Sequence, residues 1–460
     1  FFYHNFKNIK NSIFPFLVLA LSAMNSKNKE SLFVEIGFYT LIAGIIIFSF
    51  LKWYFKVFEI SDGKIEISEG VFQKRKNDIA FNRIKSINTS ASILKRIFKI
   101  SDLNIEIIGG NKIVFVIKNK EIERISKKMM QEFSEEKENT EIKNLSLFNY
   151  FLISRCNTKF ILTSLTLTLP IFNFFLKKFD EDSIVDKNVN FQMLKDLPEF
   201  FKKIDSHWME ASSAIGILLL IILVSSVGYS YLTFGKFNIS SNKKEINIRY
   251  GILNKKEFHV PIKQIRSLRI NESFFFRIFG YVQLKIDNIG LDVNESASIV
   301  LYPILKKEKI NEILDMHLPA FKQQQIEHKP SKKVLHLYLI DRIQGTVLIM
   351  LFLTIISLKF LWIVILIPIL LLYGYVSWKH SGLSFNDDFI TIRKTFGFRI
   401  LTLITLKKHT ETTNIDQTLF MKKANNHHYR FALYSERLVE TETCKYLKSI
   451  KKEDFLNYLK

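Results

Sequence analysis

The sequence predicts a multi-pass membrane protein in which three pairs of membrane helices alternate with three α+β domains. Each domain is expected to be a small β-barrel closed by a C-terminal helix. Two observations carry this. Charged residues make up 24% of the 460-residue chain, yet mean hydropathy is slightly positive at +0.09, so very apolar stretches must stand beside very polar ones. The polar stretch that follows one apolar pair also recurs, in recognisable form, after the next.

A crossing needs about 20 mostly apolar residues. Ile13–Met24 and Phe33–Phe50 supply a first pair, and Phe160–Leu176 and Ala214–Phe234 a second. Pro170 inside the third run is tolerated better in a membrane helix than in a soluble one. Gly345–Val376 is one run too long for a single crossing and is expected to turn at Lys359 into a third hairpin. Trp53, Tyr54, Tyr229, Tyr231, Tyr373, Tyr375 and Trp378 sit at run ends, where an aromatic belt forms. Residues 1–25 have a basic start but no small-residue cleavage site, so they do not read as a signal peptide.

Charge sets the orientation. Lys52, Lys56, Arg155, Lys159, Lys236, Arg342 and Lys379 flank the runs on the side of the large domains. The connector Lys177–Ser212 carries six Lys against eight Asp or Glu. Lys and Arg are retained in the cytoplasm, which places the domains and the N-terminus there and the acidic connector outside. The expected organisation is a hairpin over 1–54, a domain over 55–143, a hairpin over 144–234 with connector 177–212, a domain over 235–330, a hairpin over 331–379 and a domain over 380–460.

The repeat is read by aligning Gly70 with Gly251. Fourteen residues later come Ile84 and Ile265, inside RIKSI and QIRSL, with Ser86 and Ser267 following. Twenty-six residues after each glycine come Arg96 and Arg277, and thirty-nine after come Gly109 and Gly290. Lys64–Ile67, Leu103–Ile107 and Glu245–Ile248 alternate apolar and polar residues, the signature of half-buried strands. The two glycines then fall between strands, where a turn needs positive φ. Amphipathic helices are expected at Glu121–Phe133, Lys306–His317 and Glu440–Tyr458. In the third unit Gly397 is taken as the equivalent glycine, which puts Lys423 at the offset of twenty-six, beside Lys422.

With these residues in view, the chain resembles the bacterial pleckstrin-homology (PH)-like domain, set three times after membrane hairpins as in bacterial PH-domain membrane proteins of the YdbT type. Gly70, Arg83, Ile84, Ser86 and Arg96 carry the resemblance in the first unit. Gly251, Gln264, Ile265, Ser267, Arg277 and Gly280 carry it in the second. Lys99 replaces the glycine that Gly280 supplies, and the third unit departs through its middle. The resemblance implies a seven-stranded antiparallel fold with a C-terminal helix and an inner-membrane location. It also implies a smaller partner of the same family, and a link to envelope stress and tolerance of membrane-active peptides; self-association is the other partner expected.

Little chemistry is legible. The two cysteines, Cys156 and Cys444, allow no disulfide framework or cysteine metal cluster. No phosphate-binding glycine loop, zinc-protease motif or nucleophile elbow appears, so neither an enzyme nor a cofactor is expected. Gly109-Gly110 reads as a turn and His427-His428 as a surface loop. No nucleic-acid motif appears. The positive domains point instead to anionic lipid, with Lys95, Arg96, Arg277, Lys422 and Lys423 as the candidate lipid or partner contacts. A platform for protein or headgroup contact is the function expected. The alternative is a transporter or lipid-handling protein using Thr163, Ser164, Thr166, Thr168, Ser225 and Ser226 in the spans, residues that also serve plain helix packing.

Overall fold

A computed structural model describes, apart from short breaks, residues 57–130, 139–157, 208–288, 298–356, 364–422 and 425–450, with scattered positions in 40–55 and 160–166. The expected spans at Ile13–Met24 and most of Phe33–Phe50 and Phe160–Leu176 lie outside these residues, as do the turn at Lys359, Gly109-Gly110 and most of the acidic connector. The chain forms two compact units.

In the first unit, β1 (Val57–Ser61), β2 (Lys64–Glu69) and β3 (Arg75–Ala80) form an antiparallel sheet. Ile65 and Ile67 point inward, while Lys64 reaches Glu66 and Asp78 at 2.6 and 3.2 Å on the other face. A second sheet holds β4 (Ile84–Ala91), β5 (Ile100–Ile107) and β6 (Ile113–Lys118), with the short helix α1 (Ile93–Ile97) between β4 and β5. Ile65, Ile67 and Ile79 of one sheet pack on Ile87, Leu103, Ile105, Phe115 and Ile117 of the other. Helix α2 (Asn119–Met130), one of the three expected, adds Ile122 and Ile125 to this core.

The sheet does not end at β4. Strand β10 (Lys255–Pro261), the third of the second repeat, pairs antiparallel with it, Lys255 opposite Ala91 and His259 opposite Ile87.

In the second unit, helices α3 (Leu147–Cys156) and α4 (Trp208–Phe234) pack together through Tyr150 and Tyr231, edge to face at 5.2 Å. Strands β7 (Asn139–Ile142), β8 (Asn238–Ser241) and β9 (Glu245–Tyr250) pair in that order. The rest of the second repeat is β11 (Ile265–Glu272), α5 (Phe274–Ile278), β12 (Tyr281–Asn288), β13 (Ile299–Lys306) and α6 (Ile310–His317).

The third repeat, β14 (Gly382–Phe385), β15 (Phe389–Phe396), β16 (Arg399–Leu406) and β17 (Thr410–Asp416), is joined by α9 (Leu419–Lys422) to β18 (Asn426–Leu433) and β19 (Glu440–Lys448). One six-stranded sheet runs β13–β12–β11–β16–β15–β14. Its middle is the pairing of β11 with β16, Ser267 opposite Thr405 and Glu272 opposite Ile400. A facing sheet β17–β18–β19 closes a core of Leu383, Ile390, Ile392, Leu403, Phe431 and Cys444.

Two expectations are corrected. The barrels do not close: the first and third repeats are each two open sheets packed face to face, β1–β3 on β4–β6 and β14–β16 on β17–β19. The cause is visible between the third and fourth strands. In the third repeat a single 3₁₀ turn, Lys407–His409, carries the chain from one sheet to the facing one. The third strand is left to pair with the preceding repeat.

The expected helix over 440–458 begins as strand β19. Glu442, Cys444 and Leu447 are its buried residues, and Tyr446 at φ 55 inserts a bulge between the last two.

Among the described residues two helices are long and apolar enough to cross a membrane, Gly216–Phe234 and Lys332–Phe352. The second lies mostly within α7 (Leu335–Ile356), which starts well before Gly345. Two of its early polar residues bond to the third repeat: Tyr338 Oη donates to the Lys445 carbonyl at 2.6 Å, and Asp341 accepts from Lys445 at 2.9 Å. Helix α8 (Leu366–His380) packs closely on α7 at Gly374, where an added Cβ would lie 3.0 Å from the Tyr338 carbonyl oxygen.

Candidate functional site

In every repeat the fourth strand runs into a short helical turn with the same hydrogen bonds. The carbonyls of Ser92, Ser273 and Thr418 accept from the backbone N–H of Arg96, Arg277 and Lys422 at 3.0, 3.0 and 3.1 Å. The carbonyls of those basic residues accept in turn from the N–H of Lys99, Gly280 and Asn425 at 3.1, 3.3 and 3.1 Å. Lys99, Gly280 and Asn425 all have positive φ, at 54, 69 and 49°. Each then accepts from the residue that closes the following hairpin, Asn119, Lys307 or Ser449.

This register makes Lys422 the counterpart of Arg96 and Arg277. Counting from Gly397 points to Lys423 instead, because the segment from that glycine to the 3₁₀ turn is one residue shorter in the third repeat. Lys423 lies outside the described residues. The signal that finds the turn is a Ser or Thr four residues before the basic side chain.

The signature glycines occupy strand–strand turns with φ of 125° at Gly70, 103° at Gly251 and 59° at Gly397. Ile265 is buried, Ile84 packs at the edge of the first core, and Ser86 lies in β4 opposite Glu106.

The side chains sort by surroundings. Arg96 and Lys422 are exposed. Ile97 and Phe98 beside Arg96 are also exposed, as are Phe274, Phe275, Ile278 and Phe279 around Arg277. Basic residues set among exposed aromatic and aliphatic ones suit a membrane–water interface. Lys95 does not join them: its side chain is 1% exposed and pairs with Asp102, so it belongs to the interior of the first repeat.

In the second unit the turn sits among helix ends. Phe279 meets Phe148 of α3 edge to face at 5.3 Å, and Ser273 Oγ donates to Cys156 Sγ at 2.6 Å. The half-buried Arg277 donates to the Phe398 carbonyl at 3.3 Å. Gly397, next to Phe398, donates from its N–H to Tyr373 Oη at 3.0 Å, and Arg399 donates to the Cys156 carbonyl at 3.0 Å. The signature arginine of the second repeat and the signature glycine of the third are thereby held at one place.

Beneath this surface lies an ionic seam that sequence reading missed. Asp287 accepts from Ser267 and Arg269, Glu272 pairs with Lys307 at 2.9 Å and Arg393 at 3.4 Å, and Glu442 pairs with Arg269 at 3.7 Å and with Lys394. All three carboxylates are buried. His427 and His428 lie in β18, not in a loop, and His428 packs edge to face on Tyr446 at 4.6 Å. Among the described residues no group of three His, Cys, Asp or Glu could hold a metal ion.

The bacterial PH domain family matches residues 15–136 and 189–317, together more than half of the chain. The chain belongs to the bacterial PH-domain family. It is also 26% identical over 440 residues to the transmembrane protein YdbT of Bacillus subtilis (strain 168), covering 91% of this chain and 87% of that protein. No solved structure matches. The third repeat lies outside the matched segments and is recognised by its strand order and its helical turn.

Proposed function

We propose that this bacterial PH-domain protein is a non-enzymatic platform of the inner membrane, with its PH-like domains on the cytoplasmic side, holding anionic lipid headgroups through the basic helical turns. One observation carries the reading: a turn of constant hydrogen-bond geometry presents Arg96, Arg277 and Lys422 at the same position in three repeats. Exposed apolar residues flank two of these turns, and the second lies beside α3 and α8. The apolar residues would enter the headgroup layer while each cation meets phosphate, an attraction of about 1 kcal/mol per basic residue near an anionic leaflet. Envelope stress is the physiological setting proposed for this platform.

Arg96 and Lys422 are the residues to change, because both are exposed and neither belongs to the ionic seam. The wild type and the variant Arg96→Glu/Lys422→Glu are purified from native membranes in mild detergent, and bound phospholipid is quantified by class. The reading predicts a severalfold loss of anionic phospholipid with neutral lipid unchanged. Equal anionic lipid in both proteins would sink it.

A further inference from the structure

The repeats join by a rule that leaves two ends open. The fourth strand of one repeat pairs with the third strand of the next: β4 with β10, and β11 with β16. The third strand of the first repeat, β3, and the fourth strand of the last, β17, are the two members of this series left over. Among the described residues β3 pairs only with β2, and β17 only with β18. Both are exposed along much of their length. An edge strand presents a row of backbone donors and acceptors ready for another strand.

We infer that a second copy of this chain occupies these edges, β17 of one copy pairing antiparallel with β3 of the next. The charges favour it: β3 opens with Arg75-Lys76, and β17 carries Glu411 and Asp416. The register follows from the pairing already present. Lys255 stands four residues after Gly251, opposite Ala91, which stands eight before the positive-φ residue Lys99. The same rule places Arg75, five after Gly70, opposite Asp416, nine before Asn425. Asp416 now pairs with Arg430 at 2.9 Å on a half-exposed surface and is open to a second cation. The contact is head to tail, so copies assemble into a ring if the rotation closes and a row if it does not. The inference rests on strand order and is independent of headgroup binding.

The test uses the full chain in native membranes. Two differently tagged copies are co-expressed, one with Arg75→Cys and the other with Asp416→Cys, and the membranes are oxidised. Directly opposed residues of an antiparallel pair lie within disulfide reach. The expected result is a disulfide-linked band carrying both tags, absent when either variant is paired with wild type; the native cysteines are common to every lane. In a second arm Arg75→Asp lowers co-purification of the two tags severalfold, and combining it with Asp416→Arg restores it. Three results overturn the inference: no mixed-tag band with both copies in the membrane, a cross-link confined to one chain when both substitutions share it, or a different protein captured at either introduced thiol in place of a second copy.

Discussion

Arg269 donates from Nε to Oδ2 of Asp287 at 2.5 Å, and the Asp287 side chain is wholly buried. Arg269 also reaches Glu442 of the third repeat, so one guanidinium ties a carboxylate of its own repeat to a carboxylate of the next. Removing one member of such a buried group leaves the others uncompensated, at a cost of about 3–5 kcal/mol. Asp287→Asn is therefore expected to destabilise the second unit by that amount, read from denaturant unfolding in mild detergent. A loss below about 1 kcal/mol, the scale of an exposed ion pair, would show that the pair is solvated.

Backbone conformation gives a graded set of substitutions. At Gly70 an added Cβ would lie 1.9 Å from the Gln73 carbonyl oxygen, with φ at 125°. At Gly397 φ is 59° and nothing stands within 4 Å. Gly397→Ala is expected to cost about 1 kcal/mol, the left-handed penalty alone, and Gly70→Ala clearly more, since backbone must move. Lys99→Gly runs the other way. Lys99 fills the left-handed position that Gly280 fills in the next repeat, so glycine is expected to raise the unfolding midpoint of the first unit, by less than about 1 kcal/mol once the added freedom of the unfolded chain is counted.

The glycine spacing made the repeat readable because a positive-φ turn tolerates few residues other than glycine, and the turns at 70, 251 and 397 are where those glycines stand. Period-two alternation likewise revealed β2, β5 and β9. It could not reveal which strand β4 or β11 would pair with, since alternation reports a strand's own faces and not its neighbour. The end of the chain misled for a local reason: buried residues at 442, 444 and 447 step by two and then three across the Tyr446 bulge, and the step of three imitates a helix. Lys95 misled because a lone lysine reads as surface charge until Asp102, on the next strand, is placed beside it.

His409, in the turn between β16 and β17, has its pKa lowered from 6.5 to about 4 by burial, with Lys408 and Arg266 adding to the effect. The unfolded chain takes up that proton below about pH 6.5 while the folded chain refuses it until about pH 4. Its contribution to stability is thus full above pH 6.5 and is lost as pH falls towards 4. The unfolding midpoint should drop over this window, and His409→Gln should flatten part of the drop. A variant with an unchanged slope would place the proton elsewhere.

Cys444, in the core of the third repeat, has its thiol pKa pushed up to about 12 by burial. A protonated thiol is a poor nucleophile. In a Cys156→Ser background, Cys444 is expected to resist a maleimide at pH 8 while the protein is folded and to react fully once denatured. Rapid labelling of the folded form would mean that β19 separates from β18.

The central claim is that the basic turns lie in the headgroup layer, and Phe279 tests it most directly. This side chain is 47% exposed, beside Arg277 and edge to face with Phe148. Phe279→Trp is reconstituted into liposomes containing anionic phospholipid, and its fluorescence, after subtraction of the wild-type signal, is measured with and without brominated acyl chains. Blue-shifted emission quenched by the brominated lipid is the result predicted. Emission at the wavelength of water-exposed tryptophan, unaffected by bromine, would contradict the account.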